Sequence, residues 1–175
     1  MKDFIKDLII AVLVAVVLIQ FIKPVIVRES SMENNFIEGD YLIVSKQSYS
    51  FGEVKRGDVV VFKSELLDKK GNEKLLIKRV IGMPGENVQV TDGKVYIDGI
   101  EIEEDYIKDG TTNGEVDVTV PEDEYFCMGD NRLVSIDSRD ESVGCVPAHE
   151  LLGKVVLRAF PFKKFGRIES PDYNI

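Results

Sequence analysis

Residues 75–99 read LLIKRVIGMPGENVQVTDGKVYIDG, and this stretch decides the fold class. Residues 88–90 and 95–97 are short segments rich in β-branched and aromatic side chains. They flank Thr91-Asp92-Gly93-Lys94, and an Asp-Gly pair between two such segments predicts a tight β-hairpin. Residues 75–81 form a third apolar run, which is followed by a Pro-Gly turn signal. The stretch therefore predicts consecutive antiparallel strands.

Further strand-like segments lie on both sides of this stretch. They occupy residues 41–44, 59–62 and 155–157, and the first two follow Gly-Asp turn signals. Residues 103–124 are rich in acidic side chains, and we expect them to form a solvated loop or excursion. The predicted fold is mostly β, with an antiparallel β-sheet body.

The N-terminus differs in character from the rest of the chain. Residues 8–22 are apolar, with Gln20 as the only strongly polar member. Extended to residue 27, the segment forms a helix long enough for a bilayer core of roughly 30 Å, at about 1.5 Å per residue. A cleaved signal peptide would need a small-x-small site, which residues 21–27 lack, and a buried core helix is a further alternative. We predict one N-terminal transmembrane helix over residues 8–27.

Charge and composition exclude two classes of function. The net charge of −9, from 22 Lys and Arg against 31 Asp and Glu, leaves no basic surface for phosphate groups, so nucleic acid is not an expected partner. A single histidine, His149, and two cysteines do not make a zinc ligand set, and we predict no metal or cofactor. Cys127 and Cys145 are expected to be either buried thiols or one disulfide.

Ser30 and Ser31 are candidate nucleophiles because they follow the end of the apolar segment, near Ile22, within ten residues. A serine nucleophile needs a base, and lysine is the known substitute for histidine. An ordinary lysine, with a pKa of about 10.4, is almost fully protonated at pH 7. Burial in apolar surroundings lowers that pKa by several units, so the base must be a lysine in apolar company.

Lys78 has the most apolar surroundings of the lysines. Strand alternation places Leu76, Lys78 and Val80 on one face of the segment 75–81. Lys78 is then a single cation on an apolar face, which suits a base with a lowered pKa. The alternative is a lysine near a strand end whose amine reaches solvent.

A third segment, residues 129–139, reads GDNRLVSIDSR and interrupts the strand pattern with many polar side chains. If its second half is extended, Ser135, Asp137 and Arg139 share a face. Asp137 and Arg139 can form an ion pair that fixes the backbone, and Ser135 can hydrogen-bond a buried amine. The same pattern is also compatible with a polar loop that satisfies its own side chains.

In this order, the three segments resemble the bacterial type I signal peptidases (leader peptidases), which are serine proteases with a Ser/Lys dyad. In that family an anchor is followed by Ser-Met, as at residues 31–32 here. Residues 78–85 are similar to the family pattern Lys-Arg-Val-x-Gly-x-Pro-Gly, and residues 129–139 to Gly-Asp-Asn-Arg-x-x-Ser-x-Asp-Ser-Arg. Residues 39–44 and 56–62 are also similar to family segments.

The resemblance implies roles for individual residues. Ser31 is the implied nucleophile, with its backbone N–H as oxyanion donor, and Lys78 is the implied general base. Ser135 corresponds to the family serine that hydrogen-bonds the lysine amine. The other members of the motif correspond to residues that support this loop: Asp130, Arg132, Asp137 and Arg139.

The resemblance also implies where the protein acts and on what. Residues 1–7 are expected to be a short cytoplasmic N-terminus, residues 8–27 a single membrane anchor as in Gram-positive members, and residues 28–175 an extracytoplasmic catalytic domain. The implied substrates are signal peptides of secretory preproteins with small residues at positions −3 and −1. The lipid bilayer of the bacterial cell membrane and the secretion translocon are the other expected partners.

The segment around Ser31 departs from the family pattern. The usual run is Ser-Met-x-Pro-Thr, whereas Glu33, Asn34 and Asn35 follow Ser31-Met32 here and the proline is missing. Glu29 stands where the family usually has Ser or Gly, and a carboxylate cannot donate a hydrogen bond to an oxyanion unless it is protonated. The alternative function is therefore a catalytically weak homologue that binds signal peptides or partner proteins without cutting them.

Overall fold

The computed structural model describes residues 2–49, 52–68 and 70–175. Within those residues the chain begins with one α-helix, α1 (Lys2–Phe21). The strands are, in chain order, β1 (Ile22–Ile26), β2 (Tyr41–Ser45), β3 (Val59–Leu67), β4 (Glu73–Gly82), β5 (Asn87–Thr91), β6 (Lys94–Ile97), β7 (Ile100–Glu101), β8 (Val116–Thr119), β9 (Glu124–Met128), β10 (Val146–Pro147), β11 (Leu151–Phe160) and β12 (Gly166–Arg167). Short 3₁₀ helices lie at Ser30–Met32, Ala148–Glu150 and Phe162–Lys164.

The strands form two antiparallel sheets, which confirms the predicted mostly β fold. The larger sheet has the order β1-β2-β11-β3-β4-β9-β10, with β12 paired to β11, and the smaller has the order β7-β6-β5-β8. The predicted hairpin joins β5 to β6, where Thr91 pairs with Lys94. Asp92 and Gly93 between them have φ values of 50° and 80°, as a type I′ turn requires.

Apolar clusters hold the sheets together and fix the segment that carries Ser31. One cluster joins the two sheets, with Ile81 and Phe126 from the larger and Val88 from the smaller. A second buries Met32 and Phe36 together with side chains of β2, β3 and β11. Because Met32 directly follows Ser31, burial of its side chain sets the position of the 3₁₀ helix on the sheet.

The predicted limits of the N-terminal helix, residues 8–27, are wrong. Helix α1 begins at Lys2 and ends at Phe21, and Ile22–Ile26 is the edge strand β1, paired with β2. An apolar run does not by itself distinguish helix from strand. Here Pro24 disfavours a continued helix, and the β-branched residues around it suit the pairing with β2. Within the described residues, no helix combines the length and the apolar character needed to cross a membrane.

The prediction of a solvated excursion over residues 103–124 is wrong in part. Val116–Thr119 forms β8, which pairs with β5 at the edge of the smaller sheet. Val116 and Val118 pack against the cluster between the sheets, while the acidic residues that alternate with them face outward. Glu104 is also withdrawn from solvent, because it pairs with the buried Arg132 at 2.6 Å. The acidic composition concealed both features.

Candidate active site

Ser31 lies in the 3₁₀ helix Ser30–Met32, a few residues after β1. Its backbone is held by the segment that follows β9. The backbone N–H of Asn131 donates to the carbonyl of Ser31 at 2.9 Å, and the Asn131 side-chain amide donates to the carbonyl of Ser30 at 3.0 Å. Asn131, about a hundred residues further along the chain, therefore holds the backbone of both Ser30 and Ser31 in place.

Lys78 lies in the middle of β4 and its Nζ is 2.7 Å from Ser31 Oγ. Val60 is directly opposite Lys78 in β3, and Leu76 and Val80 belong to one apolar cluster with Val60. The Lys78 side chain is 1% exposed, so its amine does not reach solvent as in the strand-end alternative. Burial lowers the pKa of Lys78 to about 8 because it disfavours the charged amine, although nearby carboxylates, chiefly Asp137, oppose this.

Asp137 and Arg139 form the predicted ion pair beside Ser31 and Lys78. Arg139 donates to both carboxylate oxygens of Asp137 through Nε and Nη2, each at 2.8 Å, and the N–H of Gly129 donates to Asp137 at 2.9 Å. Burial alone would raise the pKa of Asp137, but the hydrogen bonds and charge of Arg139 outweigh it, so this pKa lies below its usual value. The carboxylate is thus ionised and fixes the loop.

Ser135 lies at the site, but the expected hydrogen bond to the Lys78 amine is not formed. Its Oγ is buried and makes no hydrogen bond of normal geometry with the described residues, but it lies near enough to the Asp137 carboxylate to help lower the pKa of that group. The side chain packs on Gly129, where an added Cβ would lie 2.3 Å from Ser135 Oγ and 2.5 Å from the carbonyl oxygen of Ser31. Position 129 must therefore be glycine for the loop to approach Ser31 this closely.

Asp130 has the structural surroundings that the motif implied. Arg79, the residue after the candidate base, donates to its two oxygens at 2.8 and 2.6 Å. The guanidinium of Arg79 also lies 4.3 Å from the ring centroid of Tyr106. Arg132 is buried next to this pair and donates to the carbonyl of Gly129 at 2.9 Å. Strand β4 and the loop 129–132 are therefore joined by buried charges.

Several contacts of this site are not predictable from the sequence. The side chain of Asn35 donates to Asp130 at 2.8 Å and to the carbonyl of Tyr106 at 3.0 Å, so it ties the segment after Ser31 to the buried pair. Glu104 pairs with Arg132 from within the acidic stretch. The departure at Asn35 was visible in the sequence, but its partners are 71 and 95 residues away. Nothing local distinguishes Glu104 from its acidic neighbours.

A groove of about 490 Å³ opens beside Ser31. One wall is β1 with the residues that lead to Ser31, and the other is the first half of β4. β1 is the edge of the larger sheet, and β9 pairs with β4 only between Arg79 and Gly82. Both walls therefore present unpaired strand edges, to which an extended peptide can add by backbone hydrogen bonds.

His149 and the two cysteines lack the features of a catalytic base or nucleophile. His149 is exposed, and its Nε2 lies 3.5 Å from the carboxylate of Glu150. Cys127 and Cys145 are free thiols, which decides between the two alternatives for this pair. Burial raises the pKa of both thiols, that of Cys145 to about 11, so neither is a ready thiolate. The described residues contain no group of three or more side chains able to hold a metal ion.

Comparison with known proteins gives consistent matches. The family model described as signal peptidase, peptidase S26, matches residues 1–160. A probable signal peptidase I-2 of Synechocystis is 36% identical over 163 residues, which cover 92% of this chain and 74% of that protein. Signal peptidase I T of Bacillus subtilis is 35% identical over 170 residues, covering 91% and 85%. The crystal structure of a signal peptidase I from Enterococcus faecalis aligns at 32% identity and a TM-score of 0.49, over 59% of this chain and 97% of that one.

Proposed function

Because the chain belongs to the signal peptidase family, peptidase S26, and is a serine endopeptidase that removes signal peptides from preproteins, we propose that Ser31 and Lys78 are its catalytic dyad. The observation that carries the assignment is the 2.7 Å contact between Lys78 Nζ and Ser31 Oγ, with the amine buried. A lysine with a pKa of about 8 is neutral in about one molecule in ten at pH 7. An ordinary lysine would be neutral in only one of a few thousand.

The neutral amine of Lys78 takes the proton of Ser31 Oγ as the oxygen attacks the carbonyl carbon of the scissile peptide bond. When the C–N bond breaks, the Lys78 ammonium returns that proton to the leaving amine, and the signal peptide remains as an ester on Ser31. A water molecule then loses a proton to Lys78 and attacks the ester. Hydrolysis restores the serine hydroxyl and releases the signal peptide.

The negative charge that develops on the carbonyl oxygen needs hydrogen-bond donors. We assign one of them to the backbone N–H of Ser31, because the carbonyl of the same peptide unit, that of Ser30, accepts a hydrogen bond from the Asn131 side chain and the following Met32 is buried. Glu29 cannot serve as a donor when it is ionised. Three side chains of the loop contribute indirectly, because they hold the loop against Ser31 and Lys78: Ser135, Asp137 and Arg139.

The substrate occupies the groove between β1 and β4 as an extended strand in this proposal. The strand edges on both walls pair with its backbone, and small side chains at positions −3 and −1 let it lie close to Ser31. The apolar run of residues 8–22 in the sequence supports the further proposal that the N-terminal segment anchors the protein in the bacterial cell membrane, with the N-terminus inside and the catalytic domain outside. A site so close to the anchor meets cleavage sites as they emerge at the bilayer, beside the secretion translocon.

The test is cleavage of a secretory precursor by detergent-solubilised protein, with N-terminal sequencing of the product. We expect cleavage after a small residue, and its loss by several orders of magnitude in Ser31→Ala and in Lys78→Ala. Ser30→Ala is the matched control for the first variant, since the hydrogen bonds of Ser30 within the described residues are made by its backbone carbonyl. Lys94→Ala, an exposed lysine on the smaller sheet, is the control for the second. Cleavage that survives either dyad substitution, or precursor binding without cleavage, contradicts the proposal.

A further inference from the structure

An ion pair crosses the groove beside Ser31. Glu29 Oε1 lies 2.9 Å from Lys74 Nζ, with Glu29 on the wall that leads to Ser31 and Lys74 on β4. Within the described part of the chain, this is the one hydrogen bond between side chains that line the two walls.

An uncompensated carboxylate at Glu29 would oppose the reaction in two ways. It would repel the oxyanion that forms beside Ser31. It also favours the protonated form of Lys78, because an adjacent negative charge raises the pKa of an amine. The other charged or titratable groups that act on Lys78 come from the loop after β9 and from β9 itself: Asp130, Asp137, Arg139 and Cys127.

We propose that Lys74 is a positioning residue of the reaction, whose ammonium neutralises Glu29 and draws its carboxylate to the β4 wall. The oxyanion side of Ser31 is thereby kept free of uncompensated negative charge. The proposal rests on the Ser31/Lys78 dyad assigned above. Because the side chains of Lys74 and Glu29 are 35% and 51% exposed, solvent screens the interaction and its effect on rate is moderate.

A double-mutant cycle tests this role on the full chain with a peptide that spans a signal-peptide cleavage site. We expect Lys74→Met to lower kcat at pH 7 by about two- to fivefold and to move the acid limb of the rate profile to higher pH. Glu29→Gln should move the acid limb to lower pH. In the double variant, loss of Lys74 should no longer matter, so its kcat should equal that of Glu29→Gln within error.

The matched control is Lys94→Met, which removes the cation of a similarly exposed pair, Lys94–Glu101, at 2.8 Å on the smaller sheet. It should change neither kcat nor the pH profile. Additive effects in the cycle, a Lys74→Met loss confined to KM, or an unmoved acid limb would overturn the role of Lys74. Those results would not refute the Ser31/Lys78 assignment as long as Ser31→Ala is inactive. Cleavage by Ser31→Ala would refute that assignment itself.

Discussion

Replacing Lys78 by methionine should stabilise the fold while it abolishes peptide cleavage. Burial lowers the pKa of Lys78 from 10.5 to about 8, and the side chain is 1% exposed, so solvent screening does not reduce the effect. Each pKa unit corresponds to about 1.4 kcal/mol. At pH 7 the buried amine therefore lowers the free energy of unfolding by about 3 kcal/mol relative to a neutral side chain.

The effect of Lys78 on the stability of the fold depends on pH. The unfolded chain binds a proton at Lys78 below about pH 10.5, whereas the folded chain binds it only below about pH 8. The wild type therefore loses stability as the pH falls from 10.5 to 8, and the deficit is complete below 8. Methionine, similar in length and apolar, removes this titration without leaving a cavity.

The assay is urea unfolding of wild type and Lys78→Met at pH 7 and again above pH 10.5. The variant should be more stable by about 3 kcal/mol at pH 7, and the difference should nearly vanish at the higher pH. Lys94→Met is the control, because the Lys94 amine is exposed to solvent. Its stability difference from wild type should not show this dependence on pH. A variant that is less stable than wild type at pH 7, or a difference that does not depend on pH, would refute a desolvated Lys78.

Three further predictions concern residues that support the segments around Ser31 and Lys78, and the two cysteines. Asn35→Ala removes two hydrogen bonds and should cost about 1–2 kcal/mol of unfolding free energy in urea; an unchanged midpoint would show that Asn35 does not tie this segment. Arg79→Met leaves the carboxylate of Asp130 buried without its cation and should lower the free energy of unfolding by about 3–5 kcal/mol. The double variant Arg79→Met, Asp130→Leu should recover most of this loss. Cys127 and Cys145 should react slowly with a thiol reagent at pH 8 in the folded protein and both at once in denaturant; fewer than two reactive thiols after denaturation would indicate a disulfide.

The features that are best predicted from the sequence are those that depend on residues close together along the chain. The hairpin around Asp92-Gly93 and the apolar face that carries Lys78 both follow from a period of two residues along a strand. Ser31 could be selected only through the order of three motifs, because no local pattern brings a serine to a lysine 47 residues away. The resemblance supplied that connection.

The contacts that the sequence did not identify depend on tertiary structure. Asn35 reaches Asp130, and Glu104 reaches Arg132, over long separations for which neither residue carries a local marker. The change from helix to strand after Phe21 is decided by pairing with β2, since the apolar run continues across it. The partner of Glu29 is Lys74 on β4, which no spacing along the chain indicates.

The most direct test of a Ser31/Lys78 dyad is the pH profile of kcat/KM for cleavage of a signal-peptide substrate between pH 6 and 10. If neutral Lys78 is the base, kcat/KM should rise about tenfold from pH 7 to pH 9. It should reach half of its maximum near an apparent pKa of about 8 and level off above pH 9. A profile that is flat over this range, or one that still climbs tenfold per pH unit at pH 9, would contradict a buried lysine as the base.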